Sequence, residues 1–457
     1  MGCRGLRGLA AVTSLAVVAA LVPSSGNGEG PRPNVVLISI DCMNQRQFDQ
    51  AVSDGTAPNL AALARESQVW SRAYAHSPWT TPSHMSMLTG LYPSQHGKDI
   101  SIALMGRVGD VRERTAVYET MADRLSAAGY ETVAFVGMGS ISGKWGLAQG
   151  FSLYLESDNR NETKSDIIRS EASFKAWLAN RERRPFFLFL HTYDMHYPLP
   201  AQRSTIAAAI RYVDDYIGRV LTELRKAGYY DASVVFLTGD HGSEMLNAEK
   251  KCCMHGAGHY EENLRVPLLV KLPGSGSTGR NDELARHIDI LPTVLDVVGL
   301  PKGSYRGRGT SLLAPEHAGD GVVSFSEADA RCVSRRAVVT RRYKYIYTPQ
   351  DPWLQLLRRF EYFNDGSCKS RPECASVPKE EFYDLETDPL EQKNLLTAPL
   401  PRDVATVLDG LRRELDEHLN LPREYRLSAL NKPSKAAPTP EVDDGVKEAL
   451  RALGYLQ

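Results

Sequence analysis

Residues 34–41 read Asn34-Val35-Val36-Leu37-Ile38-Ser39-Ile40-Asp41. Between Asn34 and Ser39 every residue is a branched aliphatic, with no polar alternation. Such a run predicts a strand buried on both faces, the habit of parallel sheets. Asp41 closes it. In open α/β sheets ligands bind beyond the carboxyl ends of the strands. The aspartate there is placed either to hold a metal or to cap the next helix.

Working outward, short β-branched runs recur at Thr132–Val136, Phe186–Leu190, Ser233–Leu237 and Val266–Val270. Helical patterns separate them at Ala57–Glu66, Val117–Ala128, Ile167–Asn180 and Thr205–Ala227. The alternation predicts an α/β fold with a large, mostly parallel sheet flanked by helices. After about Leu300 the pattern changes. Gly321–Ser326 and Arg336–Tyr347 mix polar and apolar residues, as antiparallel strands with one wet face do. Helical segments follow at Val404–Leu419 and Val442–Leu453, so a smaller C-terminal α+β subdomain with an antiparallel sheet is expected.

The chain has 457 residues, 42% of them hydrophobic and 24% charged, with a formal net charge of −1. These values exclude a disordered or fibrous class and any general attraction to nucleic acid or an acidic membrane. Arg4 and Arg7 precede an apolar run from Leu9 to Val22, and Ser24, Ser25 and Gly26 follow it. That layout predicts a signal peptide over 1–26 and an exported protein, periplasmic or extracellular; an uncleaved anchor is the alternative. No later stretch is apolar enough to span a bilayer. Cys368 and Cys374 are close enough in sequence to bridge in an oxidising compartment, whereas the adjacent Cys252 and Cys253 are not suited to pair with each other.

Two further stretches carry chemistry. Val234–Leu237 runs into Thr238-Gly239-Asp240-His241-Gly242, a second strand ending in acid and imidazole. One oxygen and one nitrogen donor suit zinc or manganese as well as calcium-like sites; a solvated turn is the alternative. In Ser77-Pro78-Trp79-Thr80-Thr81-Pro82-Ser83-His84-Met85-Ser86-Met87-Leu88-Thr89-Gly90, Pro82 suits the first turn of a helix. A threonine hydroxyl there is either a simple cap or, beside a metal, a nucleophile at an anion-binding helix end.

The run from Ala73 to Gly90 resembles the signature of the sulfatase branch of the alkaline-phosphatase superfamily. So do Tyr260-Glu261-Glu262 with Arg265-Val266-Pro267-Leu268, and His287-Ile288-Asp289-Ile290-Leu291-Pro292-Thr293. Phe382-Tyr383-Asp384-Leu385 with Asp388-Pro389, Glu391 and Asn394-Leu395 resembles the closing motif. The likeness runs from about Asn34 to Leu395. It implies a catalytic domain over 33–305, a C-terminal subdomain over 306–457, and a divalent metal (calcium, zinc or manganese) on Asp41, Thr80, Asp240 and His241. His196, in His191-Thr192-Tyr193-Asp194-Met195-His196, matches a histidine that contacts the substrate anion or its leaving group. His255 or His259 falls near an anion-binding lysine of the family. The resemblance thus casts Thr80, His196 and His255 as catalytic, and His84, His259 and Lys144 as substrate-binding. Lys144, in Gly143-Lys144-Trp145-Gly146-Leu147, is also readable as a plain surface lysine.

Departures from the signature redirect the chemistry. Sulfatases of the usual kind oxidise a Cys or Ser at the position of Thr80 to formylglycine, a route closed to threonine. His84 stands where the family has Arg, and Cys42 where it has a second Asp. An unmodified threonine nucleophile is what related phosphodiesterases, phosphoethanolamine transferases and lipoteichoic-acid synthases use. The expectation is a metal-dependent, sulfatase-like hydrolase of sulfate or phosphate esters, small-molecule or glycan, working through Thr80. The alternatives are a phosphodiesterase, phosphonate hydrolase or phospho-group transferase of the same superfamily, and an inactive binder of sulfated or phosphorylated glycans.

Overall fold

The computed structural model describes residues 32–97, 114–116, 118–137, 139–157, 166–196, 205–243, 258–274, 276–317, 321–330, 333–349, 378–422 and 425–427. The leader, Lys432–Pro440, Val442–Leu453, His255, and Cys252, Cys253, Cys368 and Cys374 lie outside the described residues.

Eight strands form the main sheet: β1 (Asn34–Ile40), β2 (Gln68–Tyr74), β4 (Glu131–Gly137), β5 (Leu153–Ser157), β6 (Phe186–Thr192), β7 (Ser233–Gly239), β8 (Arg265–Lys271) and β9 (Gly279–Arg286). A short strand β3 (Arg114–Ala116) pairs instead with β14 (Tyr425–Leu427). The main order is β5-β4-β6-β1-β7-β8-β2-β9. β1 lies parallel between β6 and β7, and only β8 runs against its neighbours. Every residue of β1, β4, β6 and β7 is buried, which is why their sequences carry no polar alternation.

Because side chains alternate across a strand, the three central strands split their residues between two cores. Val36, Ile38 and Ile40 join Leu188, Leu190, Val235 and Leu237 on one face. The amphipathic helices Pro58–Arg65, Asp166–Asn180 and Ile206–Lys226 cover it through Leu60, Trp177 and Val213. Val35 and Leu37 join Phe187, Phe189, Val234 and Phe236 on the other, against helices Thr80–Thr89 and Ile290–Val297.

The second sheet is antiparallel, ordered β10 (Ser324–Ala330), β11 (Val333–Val339), β12 (Tyr343–Tyr347), β13 (Glu380–Asp384). The stretch Arg336–Tyr347, expected as one strand, is split: Thr340 and Tyr343 exchange hydrogen bonds around a turn. The polar Thr340-Arg341-Arg342 is what breaks it. Helix Arg402–Leu419 packs Leu408, Leu411 and Leu415 on Phe325, Val338 and Tyr345, together with Tyr92 and Ile288. Tyr74, Tyr260 and Leu284 meet Ala337, Ile346 and Tyr383 in another shared core. Lys344, wholly buried on β12, is neutralised by Glu261 at 2.8 Å and Glu391 at 2.9 Å, as a buried charge requires.

Candidate metal and catalytic site

The second face of the central strands loses its apolar character at the carboxyl end. Ser39 follows Val35 and Leu37 in the period-two series, His191 follows Phe187 and Phe189, and Thr238 follows Val234 and Phe236. The register pairs Ser39 with His191 on one side and with Thr238 on the other. A polar row His191–Ser39–Thr238 therefore crosses the sheet directly above an aromatic and aliphatic one. Asp41 and Asp240 come next in the same series. Their amides bond to the Thr192 and Ile40 carbonyls at 3.0 and 3.2 Å, extending the sheet by one residue.

Two glycine contacts shape the β7 end. A Cβ on Gly239 would strike the Met43 carbonyl, and one on Gly242 the Glu262 carbonyl. The Thr-Gly-Asp-His-Gly spelling is thus a packing requirement around the Asp-His pair. Opposite, Cys42 takes a left-handed turn at φ 61°, and its amide donates to Asp240 Oδ1 at 3.2 Å. The same oxygen accepts the His241 amide at 2.7 Å.

Helix Thr80–Thr89 sits over this edge with all ten residues buried. Its first hydroxyl, Thr80 Oγ1, lies 3.5 Å from Asp41 Oδ2 and 3.3 Å from His241 Nε2. His241 Nδ1 donates to the Gly242 carbonyl at 2.9 Å, so Nε2 presents its lone pair toward Thr80 and toward Asp240 Oδ2, 3.5 Å away. The structure thereby brings together Asp41, Thr80, Asp240 and His241, from three separate parts of the chain.

These residues fit a divalent cation. Asp41 Oδ1 and Asp240 Oδ2 are buried without a hydrogen-bond partner among the described residues. Burial first, then the charge of Asp240, pushes the Asp41 carboxyl well above the usual carboxylate range. Two desolvated carboxylates close enough to repel one another are what a bound cation relieves. Asp41, Cys42 and His241 form one cluster of ligand-type atoms lying within 4.8 Å of one another, and His84, His191 and Asp240 another. Burial, followed by the charges of Asp41 and Asp240, raises the Cys42 thiol well above its ordinary range, which disfavours the thiolate a metal needs.

The remaining expected residues stand in different settings. His84 is fully buried beneath the site. Its Nδ1 donates to the Thr80 carbonyl at 2.7 Å, and its Nε2 meets Ser39 Oγ at 2.8 Å. His196 stacks on Tyr193, ring centroids 4.2 Å apart. His259 is buried just ahead of the short helix Glu261–Leu264. Lys144 is exposed and lies over the Trp145 ring at 4.7 Å. Sequence reasoning missed Ser39 and His191 as site residues. The available signal was parity: both fall on the positions that continue an apolar face toward Asp41.

Several motifs that carried the resemblance prove to be structural. Asp289 holds Arg286 at 2.8 Å and His317 at 3.1 Å and accepts the Thr310 amide. Glu261 serves Lys344, Arg265 and the Tyr74 hydroxyl.

Comparison with known proteins identifies the family. Lipoteichoic acid synthase 1 of Bacillus subtilis is 32% identical over 167 residues, covering 32% of this chain and 26% of that protein. The chain thus spans about a quarter of its length. Human arylsulfatase A is 24% identical over 438 residues, covering 80% of this chain and 83% of that protein. Among solved structures, the phosphonate monoester hydrolase of Agrobacterium radiobacter superposes with a TM-score of 0.61 at 18% identity, over 85% of this chain and 95% of that one. A family model described as Sulfatase matches residues 33–300. By that match, which spans more than half of its length, the chain belongs to the sulfatase family of the alkaline-phosphatase superfamily.

Proposed function

We propose that this protein hydrolyses sulfate or phosphate esters, with Thr80 as the nucleophile and phosphodiesters or phosphonates as the better substrates. The observation that carries the reading is Thr80 Oγ1, poised between Asp41 Oδ2 and His241 Nε2 at the first turn of a helix. A divalent cation, when bound, would be held by Asp41, Thr80, Asp240 and His241 and would offset negative charge on the ester oxygens.

The chain's own groups do the rest. Thr80 gives up its proton to solvent water, and Oγ1 attacks phosphorus in line as the bond to the departing alcohol breaks. The first amides of helix Thr80–Thr89 have no partner within the helix and face the incoming anion. His196 supplies a proton to the departing alcohol, and His255 and His259 orient the anion. Water then cleaves the ester formed on Thr80. Calcium, zinc or manganese would serve, and the substrate is a small molecule or a glycan ester met outside the cytoplasm.

A transferase, in which a second alcohol replaces that water, is the second reading. It is supported by the threonine itself and by the 32% identity to a lipoteichoic acid synthase. A pure glycan binder has no use for two buried carboxylates around a hydroxyl. Turnover of matched aryl sulfate, phosphomonoester, phosphodiester and phosphonate substrates, with and without an added alcohol acceptor, tests the proposal. Cleavage of sulfate esters alone would refute the phosphoester preference, and no turnover of any class would favour the binder.

A further inference from the structure

The polar row on the sheet has a hydrogen count that can be closed. His84 Nδ1 lies 2.7 Å from the Thr80 carbonyl, which only accepts, so Nδ1 carries the proton. In a neutral His84, Nε2 then bears a lone pair and accepts from Ser39 Oγ at 2.8 Å. Ser39 has one proton, and it is spent there. Its oxygen, 3.3 Å from His191 Nδ1, must therefore accept from that nitrogen. His191 Nε2 is left with an unshared pair.

That nitrogen is buried, has no hydrogen-bond partner among the described residues, and lies 3.8 Å from Asp41 Oδ2. An imidazole lone pair opposite a buried carboxylate is repulsive unless a metal ion or a proton lies between them. Asp240 Oδ2 is likewise buried without a hydrogen-bond partner among the described residues, and it belongs with His191 and His84 to one cluster of potential ligand atoms. Within that cluster both nitrogens of His84 are already used. Only His191 has one to offer.

We infer that His191 Nε2 is a second imidazole ligand of the single cation held by Asp41, Thr80, Asp240 and His241, with Ser39 and His84 fixing its tautomer. The inference rests on the metal reading given above. It also narrows the choice of metal: two neutral nitrogens beside two carboxylates suit zinc or manganese better than calcium, which prefers oxygen alone. Ser39 is a positioning residue here, as a hydrogen-bond partner of a ligating histidine commonly is.

The test is Mn2+ binding to the purified full chain, by calorimetry and by electron spin-echo spectroscopy, which counts imidazole nitrogens coupled to the ion. One equivalent with two coupled imidazoles is expected. His191→Gln should leave one coupling and lower Mn2+ affinity at least about tenfold. Ser39→Ala should keep both couplings while weakening affinity by about tenfold. Should H191Q not fold, His84→Gln takes its place and should retain both couplings. One coupled imidazole in the unmodified protein overturns the inference but leaves the metal site standing. Two equivalents of Mn2+, an H191Q protein with both couplings, or an H84Q protein with only one overturns it too. Failure to bind Mn2+, Zn2+ or Ca2+ at all overturns this inference and the proposed metal site together.

Discussion

His84 Nδ1 and the carbonyl oxygen of Thr80 are 2.7 Å apart, one helical turn along the same helix. The bond fixes the residue that bears the proposed nucleophilic hydroxyl from below, while Asp41 and His241 face that hydroxyl from the sheet edge.

Thr80→Ala removes the attacking oxygen and should lower turnover by about 10³-fold or more, with Thr80→Ser retaining a measurable part of it. Thr81 directs its hydroxyl to the Ser140 carbonyl. Thr81→Ala should therefore cost about 1 kcal/mol of stability and little catalysis. Steady-state kinetics and thermal melts on the three variants separate these effects. Peptide mass spectrometry across Trp79–Met87 should find Thr80 unmodified. An essential Thr81 beside a dispensable Thr80 would place the nucleophile one residue further on.

Asp240→Asn should lower bound metal and turnover together while the fold persists. Its Oδ1 accepts two backbone amides, from Cys42 and His241, and an amide oxygen can replace it there. What is lost is the charge at Oδ2. Metal analysis by mass spectrometry, alongside circular dichroism, checks this; full metal occupancy with full turnover would remove Asp240 from the site.

Glu327 on β10 accepts from Ser94 at 2.9 Å and meets His418 Nε2 at 2.6 Å, joining helix Arg402–Leu419 to the main body. Burial alone would raise its carboxyl, but the His418 hydrogen bond and charge outweigh that and draw it down to about 2. A carboxyl depressed in the folded state contributes stability above its unfolded value of about 4.3 and loses it as pH falls toward the folded one. The melting temperature should therefore drop between about pH 4.3 and 2. Glu327→Gln should flatten that drop while lowering stability at pH 7. Melts of both proteins across that range decide it, and an unchanged acid slope in E327Q would discount the Glu327–His418 pair.

If the first 26 residues are a cleaved leader, the mature chain begins after the small residues near Ser25 and is recovered outside the cytoplasm. N-terminal sequencing of fractionated cells tests this. An intact Met1 in the cytosol would count against export.

The central strands were legible because burial on both faces writes them as unbroken apolar runs: Asn34–Ile40 in sequence is β1 in structure. β2, β5 and β9 were not, since polar or charged residues interrupt their apolar ones, as Ser71 and Arg72 do in Gln68–Tyr74, Glu156 and Ser157 in Leu153–Ser157, and Arg280 to Glu283 in Gly279–Arg286. Val266–Val270 looked like its parallel neighbours although it runs antiparallel; full burial erases the difference. Asp41 and Asp240-His241 stood out as acids at strand ends. Ser39 and His191 did not, because their meaning lies in a register between strands that no local pattern records.

That register also governs how the protein comes to be folded. Cys42 and Asp240, which hydrogen-bond across the site, are separated by 198 positions in the chain, and β1 must accept strands from both later segments before the edge exists. Closing loops of that length precedes any reward from the contacts they allow, so such parallel pairings form slowly and late. During synthesis an emerging chain holds Asp41 and Thr80 long before Asp240 and His241 leave the ribosome. On the proposed metal site, an ion held by both Asp41 and Asp240 would be captured only at the end, and its uptake would serve as a clock for completed folding.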